Sequence, residues 1–215
     1  MRIEAAYAPS GETVLTFVED VLAGELRRHT PLRIAGHLPG MTGDRLAVAV
    51  ALLLGSQIGD RLDVGRPVSR RVAAAIGLYL GRRSLWVGKD EPVSYVHSAG
   101  MDLCIADQVD AARVMGGIPE RRSMTVVELP SHEAMGSLLT GGNWLLSTNS
   151  WVHAMAEPAA RLAVPVLLAH HASASRVVIP HQVGAALAPE QRQALSQLLL
   201  ATDLSPSWQD GGGDR

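Results

Sequence analysis

The sequence predicts an α/β protein: one domain over residues 1–204 with a mostly parallel sheet in its second half, and a disordered tail over 205–215. Three observations carry this expectation. From Met124 onward, strand-like and helix-like segments alternate, as they do where parallel strands are joined by helical crossovers. Hydrophobic residues make up 47 % of the 215 residues and charged ones 19 %, which is enough apolar material for a sizeable core. No internal repeat and no low-complexity linker divides the chain. The first half is less regular and richer in helical spacing, so the alternative is an α+β protein with a helical first half.

The elements follow in order. Val14, Phe17, Val18, Val21, Leu22 and Leu26 recur at helical spacing and predict a helix from Gly11 to His29, capped by Ser10. Leu32–Leu38 is a short strand closed by Pro39-Gly40. Thr42 or Asp44 caps a helix from Arg45 to about Ile58. A second helix, Val68–Leu80, has Pro67 in its first turn and Ser69 nearby. Both helices are apolar nearly all round, which predicts burial. Ser84–Gly88 and Val93–His97 form a hairpin about the turn Lys89-Asp90-Glu91-Pro92. Asp102–Met115 is a helix ended by Gly116-Gly117.

In the second half, Met124–Leu129 is a strand by its β-branched run. Ser131 caps a helix from His132 to Leu139. Trp144–Ser147 is a strand, Val152–Leu162 a helix disturbed by Pro158, and Val164–Ala169 and Arg176–Ile179 are strands. Pro189 opens a final amphipathic helix to Leu200.

Composition narrows the function. A net charge of −2 leaves no electrostatic footprint for nucleic acid or an anionic membrane. The longest apolar run, Leu46–Gly55, is too short to span a bilayer, and no signal peptide opens the chain. The single cysteine, Cys104, forbids an internal disulfide and favours a cytoplasmic protein. Lys89 is the only lysine, and its turn-like setting argues against Schiff-base or pyridoxal-phosphate chemistry. The phosphate-binding loop with its Gly-Lys-Ser/Thr, the Gly-x-Gly-x-x-Gly fingerprint, His-Glu-x-x-His, Cys-x-x-Cys and Gly-x-Ser-x-Gly are all missing. Asp102, Asp107, Asp110 and Arg113 read as a solvated charged face more than as a Mg²⁺ site.

What remains is eight histidines. Two apolar runs lead straight into polar residues: Trp144-Leu145-Leu146 into Ser147-Thr148-Asn149-Ser150, and Val164–Ala169 into His170-His171. Ligands in open α/β sheets bind beyond the carboxyl ends of strands. If both runs are strands, His153 lies within ~10 Å of His170 or His171 at one end of the sheet. Ser147, Asn149 and His153 would then serve as nucleophile, oxyanion donor and base of a cofactor-free hydrolase or transferase. The same residues also form capping turns, as Ser-Thr-Asn-Ser does before a helix.

Histidine equally fits a haem or a metal ion. His153 and His132 are the candidate cofactor ligands and His170 and His171 the candidate metal ligands, with His181 near them. Glu157 and Glu190 are the acidic residues closest in sequence to that group. Cys104 is the alternative thiolate ligand. The leading expectation is a His-ligated haem or metal enzyme carrying out an oxidative step, of hydroxylase or oxygenase type, on a small metabolite. The hydrolase or transferase comes second. A non-catalytic binding or assembly subunit comes third, with the apolar helices of 45–80 as the face of a homodimer.

Overall fold

The computed structural model describes residues 1–20, 26–38, 41–82, 84–90, 100–106, 122–131, 136–140, 142–155 and 157–209. Among these, twelve strands form one mixed sheet and six α-helices accompany it. The strands are β1 Arg2–Tyr7, β2 Glu12–Asp20, β3 Leu26–Arg28, β4 Leu32–Ala35, β5 Arg61–Val68, β6 Trp86–Asp90, β7 Met101–Ala106, β8 Ser123–Pro130, β9 Ser137–Thr140, β10 Asn143–Thr148, β11 Ala174–Ile179 and β12 Ser205–Trp208. The helices are α1 Gly43–Leu54, α2 Arg70–Tyr79, α3 Ser150–Ala154, α4 Ala163–Leu168, α5 His181–Ala185 and α6 Pro189–Leu200, with 3₁₀ turns at Gly55–Gln57 and Pro158–Leu162.

The α/β class and the parallel second half are as the sequence predicts. Strands β12, β11, β7, β8 and β10 lie side by side, each parallel to its neighbour. The first half is not mainly helical: α1 and α2 accompany strands β1–β6. Gly11–His29 opens as strand β2, paired antiparallel to β1 and β4. Thr13, Leu15 and Phe17 are buried while Val14 and Thr16 between them are half-buried, a period of two that overrides the helical spacing of the same valines. Arg61–Val68, which carries Gly65 and Pro67, is a strand with an irregular register, so Pro67 and Val68 belong to β5 and not to the helix that follows.

Five strands of each half follow one spatial plan: β6-β5-β1-β2-β4 meets β12-β11-β7-β8-β10. In both halves the chain leaves the inner strand, crosses by helix to the fourth strand, and crosses again to the fifth. The halves differ in that β2 runs antiparallel to its neighbours whereas β8 is parallel to both of its own. This two-fold repetition of topology has no counterpart in a sequence repeat. The halves meet where β4 and β10 pair antiparallel at Thr148 and Ile34. The carboxyl ends of the first half's main strands therefore lie on the opposite edge of the sheet from those of the second.

Helix α1 is the centre of the molecule. Residues Leu46 to Leu54 are at most 1 % exposed. It packs against β5, α4 and the Pro158–Leu162 turn. Thr42 caps it, its hydroxyl accepting from the Arg45 amide at 3.3 Å. Gly43 is required there, because a Cβ would stand 1.9 Å from the Pro67 carbonyl oxygen. Buried Asp44 accepts from the Ser69 amide at 2.6 Å, and Ser69 in turn caps α2 through the Val72 amide. Helices α2 and α6 flank opposite ends of the ten-strand path yet pack together. The sheet must therefore curl around the helices. Arg71 and Asp203 bridge that seam at 2.9 Å.

Several predicted elements change type. Val164–Ala169 is helix α4, buried on all sides. A six-residue apolar run does not reveal its period. Pro165 is the deciding residue, tolerated in the first turn of a helix and excluded from a central strand. Residues 137–140 form strand β9 beside β10 instead of ending a helix. Asp102–Ala106 lies in strand β7 and not in a helix, and the rest of that predicted helix lies outside the described residues. Ser205–Trp208 pairs with β11, so the predicted disordered tail begins with a strand. Lys89 and Asp90 belong to β6, so the predicted turn does not begin there; the rest of the predicted hairpin, residues 91–97, lies outside the described residues, as do Asp107, Asp110, Arg113 and His132. No helix among the described residues is long and apolar enough to cross a membrane.

Candidate active site

The carboxyl ends of β7, β8 and β10 open onto a cavity of about 150 Å³. Ile105 and Ala106 from β7, Glu128, Leu129 and Pro130 from β8, and Thr148 from β10 form its floor. Ser150 and Trp151 from α3 and Arg161 from the 3₁₀ turn complete it. The register sets Leu146 beside Glu128 and Thr148 beside Pro130. Strand alternation puts Glu128 on the same face as buried Val126, toward the helices. The Ser150 hydroxyl donates to the Glu128 carboxylate. Burial pushes that carboxyl up to about 7; the Ser150 hydrogen bond and the nearby Arg161 charge hold it from going higher. A carboxyl group poised near neutrality, bonded to a hydroxyl and close to a guanidinium in a crevice, has the make-up of an acid/base centre.

The predicted site residues disperse around this cavity. Ser147 is buried in β10, its amide donating to the Gly136 carbonyl at 3.0 Å. Alternation sends its side chain to the face opposite Thr148, which lines the cavity. Asn149 is a joint between the two halves. Its Oδ1 accepts from the Arg33 amide at 2.7 Å, and its Nδ2 donates to the Pro31 carbonyl at 2.8 Å. Its own amide donates to the Arg33 carbonyl at 3.3 Å. These bonds brace a seam that has only one paired position. Asn149→Ala should cost about 1–3 kcal/mol in urea unfolding, with labelling or turnover at Ser150 per folded molecule unchanged. An oxyanion donor would show the reverse.

His153 follows the same strand end but faces the core. It is 7 % exposed and stands edge-on to Phe17, ring centres 6.0 Å apart. Its Nε2 is buried and has no hydrogen-bond partner among the described residues. Burial, helped by nearby His29, lowers its pKa, so it is held neutral. His29 itself contacts Gln57 at 3.0 Å and Glu19 at 3.4 Å. A histidine held neutral in the fold but free to protonate when unfolded favours unfolding in acid. Stability should therefore fall as pH drops below 6.5, the ordinary value for this side chain. His153→Leu should flatten that acid limb in thermal melts taken across the pH range.

His170 and His171 do not join His153. Because Val164–Ala169 is a helix, the chain has returned to the amino ends of the parallel strands when it reaches them. His171 sits 6.2 Å from Trp144, near the start of β10, and 5.9 Å from His170. His153 follows the end of β10, which lies four residues beyond Trp144, about 13 Å further along at ~3.3 Å per residue. The expected single crevice of histidines is thus overturned. No group of three or more His, Cys, Asp or Glu able to hold a metal ion occurs among the described residues. His181 opens α5 and is exposed. Glu157 is taken up by the Ser56 amide and hydroxyl, and Asp102 by Arg176, whose Nε donates to it at 2.7 Å. Burial raises the Cys104 thiol, away from the thiolate a ligand needs.

Glu128 and Arg161 carried a signal in the sequence. Glu128 interrupts Val126-Val127-Glu128-Leu129, and Arg161 stands between Ala159-Ala160 and Leu162-Ala163-Val164. A charge inside an apolar run is an anomaly that asks for a partner. No family model, no curated protein and no solved structure matches the chain.

Proposed function

We propose that this protein is a small-molecule enzyme, a cofactor-free hydrolase or transferase, whose reaction takes place at the carboxyl ends of β7, β8 and β10. The observation that carries this reading is Glu128: a carboxyl group hydrogen-bonded to the Ser150 hydroxyl in a cavity that also presents Arg161, and pushed up to about 7 by burial. Glu128 acts as general base and then as general acid. It takes the proton of Ser150 as Oγ attacks an acyl carbon, and returns it to the leaving group as the carbon–leaving-group bond breaks. Water then releases the acyl group by the same proton path. Arg161 offers positive charge to the oxygen that becomes negative. Ser150 and Glu128 take the roles that the sequence alone assigns to Ser147 and His153. The cavity of about 150 Å³ limits the reacting part of the substrate to a few heavy atoms. The substrate is a soluble metabolite in the cytoplasm. A serine-directed phosphonate tests the proposal: intact mass should gain one adduct, mapped to Ser150 and lost in Ser150→Ala. An unmodified protein would refute it.

A second reading keeps an oxidative enzyme with haem or a metal at His153. What favours it is the buried Nε2, which lacks a hydrogen-bond partner among the described residues and whose burial favours the neutral imidazole that could hold such a group. Visible absorbance and metal analysis of purified protein test it, and a colourless, metal-free protein speaks for the first reading. As for assembly, enclosure of α1 removes half of the predicted dimer face and leaves the outer side of α2, where Leu78 is 65 % exposed. Light scattering reads the outcome.

A further inference from the structure

The first half carries a crevice of its own. In the order β4-β2-β1-β5-β6, the chain leaves β1 to one side for β2 and β4, then returns by α1 to β5 on the other side. The strand order reverses between β1 and β5, which are parallel neighbours. Crevices at such a reversal, beyond the carboxyl ends of the strands, are where open α/β sheets bind ligands. A cavity of about 330 Å³ lies at this point, lined by Tyr7 at the end of β1, Arg66 near the end of β5, and His37 and Met41 from the segment that leads from β4 to α1. It is more than twice the size of the cavity at Glu128 and lies on the opposite edge of the sheet.

Its chemistry is one-sided. Arg66 is a permanent cation and His37 an imidazole, and no Asp or Glu is among the described residues that line it. Arg66 is already oriented, because one guanidinium nitrogen donates to the Met41 carbonyl and the remaining donors stay available for an anion. The His37 segment is fixed as well: the Thr13 hydroxyl donates to the Gly36 carbonyl at 2.7 Å and accepts from the Leu38 amide at 3.1 Å. Tyr7 packs tilted against His37, ring centres 4.7 Å apart, and still keeps 57 % of its surface exposed. In a chain with eight aromatic residues, an exposed tyrosine ring at a strand end beside a fixed guanidinium leaves a flat apolar surface next to a cation.

We infer that this crevice is a second ligand site, separate from the one at Glu128, and that it takes a small molecule in which a planar ring is joined to an anionic group. The ring lies against Tyr7 and His37, and the phosphate or carboxylate meets Arg66. Three probes identify the anion: adenosine monophosphate, benzoate and inorganic phosphate, each titrated into the full chain by calorimetry and by NMR. Saturable binding of adenosine monophosphate or benzoate, tighter than inorganic phosphate and shifting the Tyr7 and His37 resonances, is the expected result. Which of the two binds tighter assigns phosphate or carboxylate. Arg66→Gln and, separately, Tyr7→Ala should each weaken binding roughly tenfold. Tyr7→Ala removes an exposed ring and should keep the melting temperature, which guards against misreading a loosened Met41 segment in Arg66→Gln. Phosphonate labelling at Ser150 should be unchanged in both variants, and Ser150→Ala should keep its affinity for the probe, so this site stands or falls apart from the proposed active site. No saturable binding of any probe at millimolar concentration, or affinity unchanged in both variants, would overturn the inference.

Discussion

Glu128→Gln should lower phosphonate labelling of Ser150, and any ester turnover, by roughly 100-fold or more near neutral pH. The wild-type rate should rise with pH through an apparent midpoint of about 7 and then level off, and the variant should show no such rise. The same residue must move stability in the opposite sense. Its pKa is raised in the fold above the ordinary 4.5, so the unfolded chain ionises first. Its contribution is fully present below pH 4.5 and is lost as pH rises to about 7. At most about 3 kcal/mol is involved. Glutamine stays neutral throughout, so Glu128→Gln should melt higher than wild type above pH 7 while matching it in acid. Lost reactivity combined with gained stability is the mark of a group held in an unfavourable state for function. A carboxylate with a purely structural role would change the melt and leave Ser150 labelling per folded molecule alone.

The second large effect lies in α1. Leu53→Ala should cost about 4 kcal/mol, read from urea unfolding with an unchanged slope. Leu53 is completely buried, and strands and helices surround it, so the cavity cannot collapse from a solvent side. A loss of that size is a large part of the ~5–15 kcal/mol that holds a domain of ordinary stability. Had α1 formed a dimer face, the same substitution would instead weaken association and make the melting temperature depend on protein concentration. A small cost together with such concentration dependence would contradict the central placement of α1.

What was legible in the sequence was local. Thr42 and Ser69 mark the starts of α1 and α2 because a hydroxyl before an apolar run can serve the first free amides. Pro189 opens α6, and its apolar face fixes the period over twelve residues. The β-branched run at 124–129 identifies β8. What was hidden was tertiary. Val14, Phe17 and Val18 fit a period of 3.6 as well as one of two, and only pairing with β1 and β4 decides between them. The apolar run at 164–169 is buried on all sides whichever element it forms, so hydrophobicity alone cannot assign it, and Pro165 was the one local clue. The active-site expectation inherited that error. Taking α4 for a strand turned His170 and His171 toward the wrong edge of the sheet and drew attention away from Glu128. The rule that ligands sit beyond strand carboxyl ends points to α3 and the polar turn before it, where a cavity lies. Which side chains of that turn face the cavity depends on register: Thr148 and Ser150 do, whereas Ser147 and Asn149 serve the sheet.

The most direct test is a carbon-13 NMR titration of the glutamate side-chain carboxyls in wild type and Glu128→Gln. One resonance absent from the variant should titrate with a midpoint of about 7, and its shift should be perturbed in Ser150→Ala. If that resonance instead titrates at the ordinary 4.5, Glu128 is a solvated carboxylate and the proposed acid/base centre is contradicted.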